Sequence, residues 1–226
     1  MRKIQRLAYI GAIAASALTL AACGGTAAPA SSPAAGAPAA APASAAPAAT
    51  DTGVTTNADV FGPACSQLPQ GDAPGSLNNM GPQPVATAAS TNPLLTTLVT
   101  AVKAVPGLPD TLNNTQGITV FAPYNGAFDA VQKQIGAPAF QGLLKDTNKL
   151  GGLLSYHVVG QRYDAKGLVA AGQTTELAGG NLTIGGTADA PTITDGQGNT
   201  AKVLCGNIPT SNATVFVIDR VLMPKS

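Results

Sequence analysis

Tryptophan is missing from this 226-residue chain, histidine occurs once, cysteine three times, and neither sign of charge is in real excess. Each shortage closes off a class of function. Aromatics make up 4% and charged residues 10% of the chain, which argues against an aromatic platform for sugars and against a charged catalytic cleft. Any Ser-His-Asp or Cys-His relay must use His157, because there is no other imidazole. A zinc site lacks a second His and a Cys pair at ligand spacing, so no metal and no cofactor are expected. The 12 Lys and Arg residues face 11 Asp and Glu, and the basic ones are scattered rather than clustered, so no nucleic-acid surface is expected.

What the chain does have is a marked N-terminus. Arg2, Lys3 and Arg6 precede an apolar run, Leu7 to Ala22, that is short for a bilayer span and rich in Ala and Gly. Leu20-Ala21-Ala22-Cys23 then fits a lipobox, in which small residues admit the peptidase and the Cys23 thiol receives a diacylglycerol. The alternatives are an ordinary secretory signal and an N-terminal membrane anchor. Cys23 with Gly24-Gly25 directly after it favours lipidation, so residues 1–22 read as a lipoprotein signal peptide and palmitate is expected on the mature N-terminus. Loss of the three signal cations from 12 leaves 9 basic against 11 acidic residues, a near-neutral mature protein.

Residues 23–57 read as a disordered tether of Ala, Pro, Ser, Thr and Gly, with no charged side chain between Arg6 and Asp51. Its reach lies between ~35 Å as a coil and ~100 Å fully extended. Thr50, Thr52, Thr55 and Thr56 sit in a context that often carries O-linked sugars; a bare linker is the equal alternative. Periodic apolar segments with turn punctuation occupy 58–226, enough for one domain with a real core. Lipidation would leave Cys65 and Cys205 as a pair in an oxidising setting, which predicts a disulfide rather than two separate buried thiols. Such a bridge would close a loop of ~140 residues and contribute up to ~5 kcal/mol in the chain-entropy model.

Within the domain, Asn92-Pro93 marks a helix start, with Leu94, Leu95, Leu98, Val99, Val102 and Val105 on one face and Pro106-Gly107 as the stop. Ile118 to Ala122 reads as a strand that turns into a helix carrying Ala127, Phe128, Val131 and Ile135, closed by Gly136. A brief helix around Ala139 to Leu144 precedes one in which Leu150, Leu153, Leu154 and His157 share a face. Strands are expected at Thr174–Leu177, Asn181–Ile184, Pro191–Thr194, Ala201–Cys205 and Val215–Leu222. Val215 and Val217 alternate with Phe216 and Ile218, apolar on both faces, so the last of these is a central strand. Asp195-Gly-Gln-Gly-Asn199 lacks the later Glu of a calcium loop and the helix of a phosphate loop, and reads as a hairpin turn. Asn113, Asn181 and Asn212 begin Asn-x-Thr triplets that are taken as chance.

Three segments together resemble the fasciclin-like domain family: Thr119-Val-Phe-Ala-Pro-Tyr-Asn-Gly-Ala-Phe128, Tyr156-His157-Val158, and Asn212 to Pro224. Their order and spacing correspond to one complete domain with its core over 85–224. The resemblance implies an α+β fold in which helices of the first half rest on a twisted, mainly antiparallel β-wedge. It implies structural roles for Phe121, Pro123, Asn125, Phe128, Tyr156, His157 and Asp219; the apolar helix face on which His157 falls, beside Tyr156, argues separately for a core histidine rather than a catalytic one. The family usually places Thr or Ser where Tyr124 stands, so the helix cap is expected to move to Asn125. With the lipobox, the tether and the cysteine pair, the chain is similar to mycobacterial-type surface lipoproteins and immunogens that carry one such domain. The implied function is a monomeric, non-enzymatic, outward-facing module, held on the cell membrane through diacylglycerol on Cys23 or partly shed. It would serve adhesion or contact with a surface or matrix protein; the alternative is a carrier of a small apolar ligand, pigment or lipid, in a groove beside the helices.

Overall fold

A computed structural model describes residues 53–225. The first stretch is helical: α1 Leu77–Met80, α2 Val85–Thr91, α3 Thr96–Ala104 and α4 Leu108–Asn114. Strand β1, Ile118–Pro123, leads into α5 Asn125–Ile135, α6 Ala137–Lys145 and α7 Thr147–Ser155. The two-residue strand β2, Val158–Val159, and α8, Ala165–Ala171, come next. The remainder is β: β3 Gln173–Thr175, β4 Asn181–Thr187, β5 Ala190–Thr194, β6 Thr200–Pro209 and β7 Ala213–Ile218.

Local chemistry explains the helix ends. Asn92 Oδ1 accepts from Leu94 N at 3.0 Å and Pro93 follows at the first turn, so the chain enters α3 where the sequence places it. Gly107, at φ 77°, takes the left-handed conformation that separates α3 from α4. Asp146 and Asp164 cap α7 and α8 by accepting from Lys149 N at 3.1 Å and Gly167 N at 2.7 Å.

The seven strands form one sheet in the order β2-β1-β7-β6-β5-β4-β3. All neighbours are antiparallel except β1 and β7, which run parallel from Ile118 opposite Ala213 to Pro123 opposite Ile218. The sheet nearly closes on itself, because Val159 at the β2 edge bridges Glu176 just past β3 and Leu177 N donates to Val158 O at 2.8 Å. Strand β7 is buried along its whole length. Val215 and Val217 join the helical core with Leu98, Phe128, Leu150 and Leu154, while Phe216 and Ile218 join a second core with Phe121, Leu168, Leu182 and Ile193. The two-faced alternation of the sequence is thus a sheet covered on both sides.

The separation of helices from strands is less strict than the sequence suggested. Helix α8 lies in the half read as mostly β, and α1, α2 and α4 lie in stretches where no helix was expected. Residues ahead of 58 are also packed into the domain: Gly53 O accepts from Thr214 Oγ1 at 2.6 Å, and Thr55 is only 5% exposed. Residues 53–57 therefore belong to the domain. Their small, polar composition matches that of the preceding tether, so composition alone does not mark the boundary.

Candidate functional site

The three resembling segments converge on the β2-β1-β7 side of the sheet. The first supplies β1, the third supplies β7 beside it, and Tyr156-His157 sits against both, with Phe121 N donating to His157 O at 2.9 Å. Phe121 packs across to Phe216 with ring centroids 6.0 Å apart, and Phe128 is buried in the helical core. Pro123 ends β1 opposite Ile218 at the strand terminus, where its missing N–H costs the ladder little.

His157 is buried just beyond the end of α7, in the turn rather than on the helix as its spacing suggested. Nδ1 lies 2.7 Å from Leu153 O and Nε2 accepts from Leu222 N at 2.9 Å. One nitrogen must donate and the other must accept, which fixes a neutral ring with its proton on Nδ1. Burial pushes its pKa down to about 4, against smaller opposing effects of the Leu153 carbonyl and the Asp195 charge. A histidine so held is a structural bolt between α7 and the segment after β7. It offers no free nitrogen to a substrate or metal.

Tyr156 is equally committed. Its hydroxyl accepts from Gly196 N at 2.7 Å, and burial, ahead of the nearby carboxylates, raises its pKa. Asp195 fastens the β5–β6 hairpin by accepting from Gln197 N at 2.9 Å and Asn199 N at 2.8 Å, and reaches Met223 N at 2.9 Å. Asp219 Oδ1 accepts from Lys202 N at 2.8 Å, extending the β6–β7 pairing beyond its last residue. Among the described residues, no group of three or more His, Cys, Asp or Glu side chains is arranged to hold a metal ion.

Asn125 departs from expectation. The residue before α5 is Tyr124, which makes no side-chain cap, and Asn125 turns away from its own helix. Its Oδ1 accepts from Thr97 N at 3.0 Å and Thr96 Oγ1 at 3.1 Å, and its Nδ2 donates to Pro93 O at 3.0 Å. It therefore caps α3, a different helix, and ties the strand–helix corner to it. The amide can bond at both ends there, whereas capping α5 would use only its oxygen.

Cys65 and Cys205 are joined by a disulfide across 140 residues, with Cα atoms 5.0 Å apart. It pins the loop before α1 to the irregular middle of β6, where Phe61 also pairs with Gly206. Cys23, Thr50 and Thr52 lie outside the described residues. Thr56 is exposed, but its hydroxyl donates to Asp59 Oδ2 at 2.7 Å. Thr55 is withdrawn from the accessible sugar acceptors, because it is buried against the domain.

Two further residues hold the site together: Asn212, which heads the third resembling segment but was given no structural role there, and Arg162, which no motif marked. Asn212 is fully buried: its Oδ1 accepts from Val85 N at 2.8 Å, and its Nδ2 donates to Leu112 O at 2.7 Å and Thr115 O at 2.6 Å. It clamps the start of α2 to the end of α4. Arg162 reaches under the β6–β7 turn, Nε donating to Thr214 Oγ1 at 3.0 Å and Nη2 to Thr210 O and Ala213 O at 3.0 and 2.8 Å. The available signals were the place of Asn212 at the head of the third resembling segment and, for Arg162, a charged residue shortly after the apolar Val158-Val159. An apolar cavity of about 60 Å³ lies between α2, α3, α4 and β1, lined by Val85, Ala89, Val99, Val102, Leu112 and Val120, with Lys103 at its edge.

The fasciclin domain profile matches residues 93–224. The chain is 41% identical over 175 residues to the cell surface glycolipoprotein MPB83 of Mycobacterium bovis, covering 74% of this chain and 73% of that one. The same figures hold for the cell surface glycolipoprotein MPT83 of Mycobacterium tuberculosis. It is 38% identical over 177 residues to the immunogenic protein MPB70 of Mycobacterium bovis, covering 74% of this chain and 83% of that one. Among solved structures, the FAS1 domain pair of the insect cell adhesion molecule fasciclin I aligns with a TM-score of 0.54 at 18% identity. That alignment covers 62% of this chain and 51% of the other, and at this identity it bears on the fold alone.

Proposed function

The chain belongs to the fasciclin domain family, and from that premise we propose that it is a non-enzymatic surface module, lipid-anchored through Cys23, that displays one fasciclin domain outside the membrane for adhesion or protein–protein contact. One observation carries the reading. Asn125, Tyr156, His157 and Asp219, the polar side chains on which chemistry could have been built, are all committed to bonds inside the domain. A domain so occupied acts through its outer surface and through where it is held. The names of the mycobacterial relatives support a surface location, and Leu-Ala-Ala-Cys23 supports the anchor. Growing the source cells with an alkyne analogue of palmitate tests the anchor directly: wild-type protein should carry the label and Cys23→Ala protein should not. An unlabelled wild type contradicts it.

The second reading, a carrier of a small apolar ligand, has the cavity between α2, α3, α4 and β1 in its favour. At about 60 Å³ it holds only a few heavy atoms, so a pigment or lipid would require α2 or α4 to swing outward. Native mass spectrometry of protein purified from its own host separates the two readings. A stoichiometric apolar ligand favours the carrier.

A further inference from the structure

Residues 53–68 form a strap that lies along β6 in place of a strand. Strand β5 pairs with β6 only as far as Lys202, and beyond that point the strap bonds to β6 instead. Phe61 N donates to Gly206 O at 3.3 Å, Gly206 N to Phe61 O at 2.8 Å and Ala64 N to Leu204 O at 2.9 Å. Asn207 Nδ2 adds a bond to Asp59 O at 3.1 Å. The apolar hold is thin: Ala64 and Leu68 are buried, Val60 and Phe61 are only partly covered, and Val54 is 60% exposed. Residues 70–74 are exposed and form a hinge before Ser76 caps α1. Among the described residues, the one covalent cross-link between strap and sheet is Cys65–Cys205.

We propose that the Cys65–Cys205 bridge is a redox-controlled clasp, which holds the strap on β6 when oxidised and lets it lift as a unit when an external dithiol reduces it. Cys65 is partly exposed and Cys205 fully buried, so the attacking thiolate joins Cys65 Sγ and the electron pair of the S–S bond leaves on Cys205. The second thiol of the reductant then closes its own disulfide and frees Cys65, and the two protons of the dithiol end on the two cysteines. While the bridge stands, only residues ahead of Cys65 can lift, because Cys65 stays fixed to the sheet. Once it is open, the strap is held by a few hydrogen bonds and by Ala64 and Leu68, the profile of a segment that opens without unfolding the rest. Strand β7 keeps both of its covered faces, Val215 and Val217 on one side and Phe216 and Ile218 on the other. Release leaves the Gly206 N–H and the carbonyls of Leu204 and Gly206 without their partners in the strap. Under the display reading, the freed strap lengthens the tether and bares an edge of β6; the clasp itself does not depend on lipid anchoring.

Native-state hydrogen exchange of the full chain, with and without dithiothreitol, tests the clasp by comparing the amides of Phe61, Ala64 and Gly206 with that of Phe121 in β1. Reduction should speed the first three by about tenfold or more. In the reduced protein they should also exchange faster than Phe121, with a weaker dependence on low urea, as a local opening requires. Cys65→Ser/Cys205→Ser should behave as the reduced protein does, and reoxidation of wild type should restore slow exchange. If strap and Phe121 amides share one rate and one urea dependence in the reduced protein, the bridge staples the whole fold rather than the strap, and the proposal is overturned. Strap amides that are unchanged by reduction overturn it as well, as does loss of the far-UV spectrum on reduction.

Discussion

Acid should loosen this domain through one side chain. His157 needs Nδ1 as donor and Nε2 as acceptor, so a second proton turns Nε2 toward Leu222 N–H as donor against donor. Its pKa of about 4 in the folded protein compares with 6.5 for the free side chain. Between those values the unfolded chain binds the proton and the folded one does not, so stability rises with pH across that window and falls as pH drops through it. At 1.36 kcal/mol per unit, the difference amounts to about 3 kcal/mol, complete once the pH is below the folded value. With a urea m-value of ~2 kcal/mol/M, the unfolding midpoint should drop by about 1.5 M between pH 7.5 and 4 from this group alone. Urea melts of wild type and His157→Gln at both pH values isolate it, since the carboxylates contribute equally to the two proteins. The Gln variant should start about 1–3 kcal/mol lower at pH 7.5, from imperfect bonds to Leu153 and Leu222, and lose less on acidification. Identical pH slopes in the two proteins would refute the bolt.

Asn212→Ala leaves Val85 N–H and the carbonyls of Leu112 and Thr115 without their partner, and should cost about 2–4 kcal/mol in a denaturant melt while the far-UV spectrum is kept. The double variant Cys65→Ser/Cys205→Ser should lose about 2–5 kcal/mol, read as a drop in Tm that matches that of reduced wild type. Tyr156→Phe removes the acceptor of Gly196 N and should cost about 1 kcal/mol, with faster amide exchange confined to the β5–β6 hairpin.

How far the chain could be read from its letters differs from element to element. Strand β7 was legible because Val215, Phe216, Val217 and Ile218 are apolar on both faces, a pattern only a doubly covered strand supports. Helix α3 was legible because Asn92-Pro93 opens it and Pro106-Gly107 follows its end. Helix α2 was not. Seven residues of Val, Ala, Ser and Thr have little intrinsic preference, and its first N–H groups are satisfied by Asn113 and Asn212, 27 and 127 residues away. Helix α8 was hidden by Gly167 in its interior and by strands on either side. Asn125 shows the same limit at the site. Its residue type announced a cap, but which helix it caps depends on how α3 and α5 meet.

The display reading makes Cys23 decisive for location and irrelevant to folding. Amine- and photo-reactive crosslinking on intact cells, comparing wild type with Cys23→Ala, tests this most directly when the Tm of both purified proteins is measured alongside. The account predicts equal Tm values, surface crosslinks for wild type, and loss of both membrane association and crosslinks for Cys23→Ala. A Cys23→Ala protein that stays at the surface with the same crosslinked neighbours would contradict it.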